Sequence, residues 1–290
     1  MSRLSFKLFL GLVLATVVAP SWAAAPVSLR YEPPMTQATW TVKKTPLECT
    51  LVQRIPDYGR VIFRRRPGKP LGLEIELDRD LRRAGHARVQ VQPAPWQHGV
   101  AGEDLGDITH GKGKRPFQFG ARLPRLLLAQ LQMGRYATVS YRAEPAVDVR
   151  VALSSVNFRA GLDQFAHCSA QLLPMTYAEI RVSQVRFLSG SAALTPAAKR
   201  HLDAVAVYMK HDPRAWQARI DGYSDAAGRP RPNYLLSHRR ALAVQNYLAA
   251  AHISRRRLHI AFHGDRHPVA PNTTAGGRAR NRRVEIRLMQ

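Results

Sequence analysis

The hydrophobic rhythm of the chain changes at Pro174, and the change divides it into two units of different class. Before it, short runs alternate apolar and polar residues: Leu47–Val52, Gly59–Phe63, Leu71–Leu77, Ala87–Val91, Ala137–Tyr141 and Val147–Leu153. Gly and Pro punctuate these runs, so each reads as a strand of a mostly β, barrel-like unit. One helix is expected there, at Pro124–Met133, with proline suited to the first helical position and Gly134 to the stop. The polar, glycine-rich stretch Gly99–Arg115 reads as a loop. After Pro174, strand and helix patterns take turns. Ala178–Phe187 is strand-like, and Thr195 and Pro196 open a helix that places Leu202, Val205, Ala206 and Met209 on one face. A strand at Ala215–Gly222, a helix at Ser237–Ala251 and strands at Arg257–His263 and Arg283–Leu288 complete the order β-α-β-α-β-β. That order predicts a compact α/β sandwich with helices on one sheet face.

The first residues read as an address. Arg3 and Lys7 precede an apolar run, Leu8 to Ala19, too short to cross a bilayer as a helix, and Ser21-Trp22-Ala23 offers a small-x-small cleavage site. Ala23-Ala24-Ala25 offers a second register. The expected organisation is an export signal over 1–23, a β-rich domain over 24–174 and an α/β domain over 175–290, in the periplasm, with no later segment long and apolar enough to span a membrane. In that oxidising compartment the even cysteine count favours a disulfide between Cys49 and Cys168, the other reading being two separate buried thiols. The bridge would close a loop of about 120 residues, worth roughly 4–5 kcal/mol in the chain-entropy model.

The chain holds 44 Lys and Arg against 20 Asp and Glu, a formal charge of +24, or +22 once Arg3 and Lys7 leave with the signal. Such a charge ordinarily points to nucleic acid, but an exported protein seldom meets it. Peptide-stem carboxylates, lipopolysaccharide phosphates or an acidic protein are the partners that fit. No cofactor or metal motif is evident. Gly111-Lys112-Gly113-Lys114 lacks the spacing of a phosphate loop, and His259, His263 and His267 carry helical spacing in a strand-like segment. Gly222-Tyr223-Ser224-Asp225-Ala226 lacks the last glycine of a nucleophile elbow, so an enzyme is not expected.

Asp221-Gly222-Tyr223-Ser224-Asp225 is followed by Gly228, by Asn233-Tyr234-Leu235-Leu236-Ser237-His238-Arg239-Arg240-Ala241, and by Gly277-Arg278-Ala279-Arg280-Asn281-Arg282-Arg283-Val284-Glu285-Ile286. Together these resemble the signature of OmpA-like peptidoglycan-binding domains, over roughly residues 178–290. In the first half, Thr45–Cys49, Ile55–Gly59, Pro95-Trp96, Gly134–Tyr136 with Ser140-Tyr141, Val151–Val156 and Phe165–Cys168 recur in the order found in the MotY family, accessory proteins of the sodium-driven polar flagellar motor. The resemblance implies a β-rich domain that docks on the basal body with a MotX-like partner, a second domain that grips peptidoglycan, and a pairing of Cys49 with Cys168. A general outer-membrane-to-wall tether with no flagellar role is the alternative.

A wall stem carrying diaminopimelate ends in an ammonium and a carboxylate on one carbon. Its receptor needs an anion and a cation held a few ångströms apart, and arginine can grip a carboxylate through two parallel hydrogen bonds. The resemblance gives the ammonium to Asp225 and the carboxylate to Arg240, fifteen residues on. Ser224 belongs to the same motif, Asn233 is expected to fix the loop before the helix, and Ser237 to cap that helix. Asn281 with Arg282 or Arg283 is placed near the same cleft; in a strand the two arginines would point to opposite faces. Tyr223 stands where the family usually has histidine, and Ser224 where it has threonine.

Overall fold

The computed structural model describes residues 27–290 except 95, 96, 98 and 100; the export signal and Pro95-Trp96 lie outside the described residues. In chain order the first half comprises β1 (Val27–Tyr31), β2 (Trp40–Thr45), β3 (Glu48–Ile55), β4 (Gly59–Arg65), β5 (Gly72–Leu77), β6 (Gly85–Gln92), β7 (Glu103–His110), α1 (Leu123–Gln132), β8 (Tyr136–Glu144), β9 (Val147–Leu153) and α2 (Phe158–Ala170). The barrel-like arrangement expected here resolves into two hydrogen-bonded sheets, β1-β9-β8-β6-β7 and the antiparallel meander β2-β3-β4-β5. Both contribute to one core, in which Leu51, Val61 and Phe63 meet Val89, Val139, Val151 and Leu153. Buried Gln53 ties the two together: its side-chain amide donates to the Ser154 carbonyl at 3.0 Å and accepts from the Ser154 N–H at 2.9 Å. Helix α2 lies on β2 and β3, and Gly161 makes that approach possible, because a Cβ there would stand 2.8 Å from Trp40.

The second half comprises α3 (Tyr177–Arg181), β10 (Val182–Arg186), α4 (Pro196–His211), β11 (Gln217–Gly222), α5 (Pro230–Ala250), β12 (Leu258–Phe262), α6 (Ala275–Asn281) and β13 (Arg283–Met289). The sheet order is β10-β13-β11-β12, with β11 and β12 parallel across α5 and the other pairs antiparallel. Alternate residues of β11 and β13, among them Ala218, Ile220, Val284, Ile286 and Leu288, pack against Leu202 and Val205 of α4 and Ala241, Val244 and Leu248 of α5. Thr195 caps α4 as expected, accepting from the Ala198 N–H at 3.2 Å. Core residues of the first half end at Cys168 and those of the second begin at Ile180, while Leu47, Leu173 and Met175 reach onto the second core.

Several elements differ from expectation. The stretch read as a loop at Gly99–Arg115 contains β7, paired along β6 with a bulge at Val89/Gln90. Its apolar signal is thin because Ile108 is its one buried apolar residue and Leu105 is only half-buried, but its backbone satisfies an edge that would otherwise be bare. The strand expected from Ala178 begins instead at Val182, after a helical turn fixed by a reciprocal cap between Thr176 and Glu179. Helix α5 starts at Pro230, one full motif earlier than Ser237. Pro230 and Pro232 fall in its first turn, where amides have no intrahelical partner and proline costs little. Helices α2 and α6 were not expected.

Candidate functional site

The site grows from the C-terminal end of β11. A Cβ at Gly222 would meet the Ser237 carbonyl and Ala241, so this glycine lets β11 press directly on α5. Beyond it the backbone keeps pairing on both sides: Tyr223 N–H donates to the Arg283 carbonyl at 2.9 Å, and Ser224 N–H to the Gly264 carbonyl at 2.7 Å. Asp225 therefore emerges from a rigid turn. Its Oδ1 accepts from the Ala227 N–H at 3.3 Å, and Gly228, at φ +92°, swings the chain back into α5.

Asp225 pairs with Arg282, Nη1 to Oδ2 at 2.9 Å, with the two side chains 9 % and 15 % exposed. Arg282 stands at the C-terminal cap of α6, and its Nε donates to the Phe187 carbonyl at 3.2 Å. Arg283, one residue on, starts β13 and points the other way. It donates to Glu285 at 2.7 Å and to the His267 carbonyl, and its guanidinium covers the Tyr223 ring at 3.9 Å. The two arginines do point apart, with Arg282 on the Asp225 side, but not by strand alternation, because Arg282 precedes β13.

Arg240 is fully buried. Its Nε, Nη1 and Nη2 donate to the carbonyls of Ser191, Tyr223 and Leu188 at 2.9, 3.0 and 3.1 Å, and Phe187 lies under the guanidinium at 5.4 Å. Burial lowers its pKa to about 10, with Asp225 opposing and Arg282 and Arg239 reinforcing the shift. A guanidinium has five N–H donors, so two remain beyond these three bonds. Arg240 pins the segment after β10 to the turn that carries Asp225.

The other expected site residues divide into two groups. Ser224 and Asn233 are buried beside Asp225 and Gly228, and Ser224 Oγ and Asn233 Nδ2 have no hydrogen-bond partner among the described residues. Asn281 acts structurally. Its Oδ1 accepts from Val269 and Ala270, and its Nδ2 donates to the Ala270 carbonyl and to Asn272, whose Oδ1 also takes the Ala226 N–H. Ser237, expected as a helix cap, lies inside α5, donating to the Tyr234 carbonyl and accepting from Gly264 N–H. Asn272 and the carbonyls of Leu188 and Ser191 were not foreseen, since a loop carbonyl carries no residue-type signal.

On the outer sheet face, Asp221 accepts from Arg219 at 2.8 Å and from His263 at 2.9 Å. Burial raises the Asp221 pKa, but those two bonds outweigh it and hold the carboxyl below 3.8. His263 is thereby committed to Asp221 and stacks on Tyr223 at 4.9 Å, while His259 is exposed on β12. Cys49 and Cys168 form a disulfide across a Cα separation of 6.1 Å.

Residues 31–174 match the MotY N-terminal domain and residues 186–282 the OmpA family. The sodium-type flagellar protein MotY of Vibrio parahaemolyticus is 32% identical over 285 residues, 96% of this chain and 96% of that protein. Two further relatives match over little more than a third of the chain: the probable lipoprotein YiaD of Escherichia coli, 38% identical over 37% of this chain and 48% of its own, and the peptidoglycan-binding protein ArfA of Mycobacterium bovis, 38% identical over 35% and 31%. The similarity to the flagellar relative covers 96% of the chain and so runs through both halves, and the chain therefore belongs to the MotY family, with an OmpA-family domain as its C-terminal part.

Proposed function

We propose that the protein is a non-enzymatic accessory component of a sodium-driven polar flagellar motor that anchors part of the motor to the cell wall. Its OmpA-family half takes the zwitterionic end of a diaminopimelate stem: Asp225 receives the ammonium, and Arg282 together with the two unspent N–H groups of Arg240 receives the carboxylate. Ser224 and Asn233 complete the polar lining, while Asn281 and Arg283 hold the surrounding turns. The β-rich half associates with the basal body and a MotX-like partner, in the periplasm between wall and outer membrane.

One observation carries the wall-binding part. The Asp225–Arg282 pair is nearly buried, and next to it two buried polar atoms, Ser224 Oγ and Asn233 Nδ2, have no partner among the described residues. Buried polar groups are normally satisfied, so unspent capacity beside an ion pair is what a polar ligand head would use. The names of the relatives, one flagellar and one peptidoglycan-binding, support the same reading.

Sedimentation with insoluble peptidoglycan sacculi tests it. The protein without its export signal should pellet with sacculi, and Asp225→Asn and Arg282→Gln should remain in the supernatant with unchanged circular dichroism. Retention of both folded variants on the wall would refute the site. Normal swimming of a deletion strain would refute the motor role.

A further inference from the structure

The end of the α/β domain opposite Asp225 carries a second surface. Trp216, just before β11, is 56 % exposed. Its indole is held in place by Arg257, whose guanidinium lies 4.3 Å from the ring centroid and donates to the carbonyls of Trp216, Met209 and Ala215 at 2.5, 2.6 and 3.2 Å. Arg257 is therefore consumed internally, and burial lowers its pKa. Because it ties the end of α4 to the start of β11, it also gathers the neighbours of both. Lys210 and His211 from α4, Arg214, and Arg255 and Arg256 are all exposed in the segments that Arg257 joins; Arg214 lies over the Tyr177 ring at 4.2 Å, and Arg255 donates to Gln245 and Asn246 at 3.2 and 2.9 Å. Asp212 is the one carboxylate in residues 209–217 and 254–258, and it is bonded to Arg214 at 2.7 Å.

We infer that this end of the domain docks on an anionic, phosphate-bearing lipid surface. The cations match the charge of the headgroups, and each one close to such a surface contributes on the order of 1 kcal/mol. Their aliphatic stems and the fixed indole need an apolar phase beside the phosphates, which is the environment tryptophan and arginine share at membrane interfaces. An acidic protein segment would neutralise the cations and leave the indole in water. The placement also fits: the six residues of β11 separate Trp216 from the turn bearing Asp225 by about 20 Å, so the two surfaces face opposite directions. The inference does not depend on what Asp225 binds.

Because residues 175–290 hold 20 Lys and Arg against 7 Asp and Glu, vesicle binding alone is not diagnostic. The experiment therefore uses vesicles of two parts phosphatidylcholine to one part phosphatidylglycerol, with pure phosphatidylcholine as reference, and two charge-matched double variants. Arg255→Gln/Arg256→Gln should weaken co-sedimentation with the anionic vesicles roughly 30-fold. Arg79→Gln/Arg82→Gln, which removes the same charge from exposed sites in the β-rich half, should weaken it several-fold less. Tryptophan emission should shift to the blue and be quenched by brominated lipid, and Trp216→Phe should abolish the quenching. Equal losses in the two double variants, an emission unmoved by lipid, or binding to polyglutamate without binding to vesicles would each overturn the inference. Unchanged sedimentation of Arg255→Gln/Arg256→Gln with sacculi is expected and keeps this test separate from that of the wall site.

Discussion

Arg240→Met asks whether a buried guanidinium holds the candidate site together. Three hydrogen bonds to a charged donor, at about 1.5–3 kcal/mol each, are lost. Against this, removing the charge restores the desolvation cost expressed in a pKa lowered to about 10, on the order of 3 kcal/mol. The difference leaves a net loss between roughly 2 and 6 kcal/mol, and the lower half applies because the carbonyls of Leu188 and Ser191, in a surface segment, can turn to water once released. We therefore expect a loss of about 3 kcal/mol, which for a domain of this size lowers the melting temperature by roughly 10 °C. Arg240→Lys should lose nearly as much, since one compact ammonium cannot reach carbonyls contributed by three separate backbone sites. Urea unfolding followed by far-ultraviolet circular dichroism gives the free energy, and amide exchange reports local order at Ser191–Ala193 and at Ser224. A loss below about 1 kcal/mol for Arg240→Met, with unchanged exchange in both segments, would refute the role assigned to this side chain.

Three further outcomes are expected. Cys49→Ser/Cys168→Ser should destabilise the protein by roughly 4–5 kcal/mol, read from thermal melts in oxidising buffer against wild type with and without reductant. Burial lowers the pKa of His201 below 6.5, so between that lowered value and 6.5 the unfolded chain binds more protons than the native one; stability is complete above pH 6.5 and falls as pH drops through the folded value, and His201→Gln should flatten that slope in urea titrations. Gly222→Ala should cost more than about 2 kcal/mol, because the added methyl meets the Ser237 carbonyl, whereas Gly276→Ala in α6, which meets nothing within 4 Å, should be neutral or slightly stabilising by the same assay.

What could be read from the sequence followed from what each element shows in its side chains. Strands β5 and β6 bury alternate residues, so their period is visible; β7 is held mainly by backbone pairing, and its side chains spell a loop. The start of α5 was hidden because Pro230 and Pro232 read as breakers, although a first turn has no bonds for them to break. Gly276 and Gly277 hid α6 by lowering its propensity, while the burial of Gly277 against Pro271 fixes the turn locally. At the candidate site, Asp225, Arg240 and the pair Arg282 and Arg283 were picked out through their motif, which records residue types and leaves open which arginine faces Asp225. The closed state of Arg240 could not be, because the groups that enclose it are main-chain carbonyls.

The Cys49–Cys168 bond has a mechanical consequence. Cys168 lies near the end of α2, two residues before that helix stops, and Cys49 lies in β3, an interior strand of its sheet. A pull on the second domain would otherwise peel α2 from its bed one turn at a time. With the bond in place, the load passes at residue 168 into the middle of the four-stranded sheet, where strands on both sides share it in shear. The 119 residues of sequence separation between the two cysteines, about 400 Å of extended chain, are thereby taken out of the load path and cannot be drawn out as slack. A load applied between the two halves would thus be carried across this bond and not along the segment that it bridges.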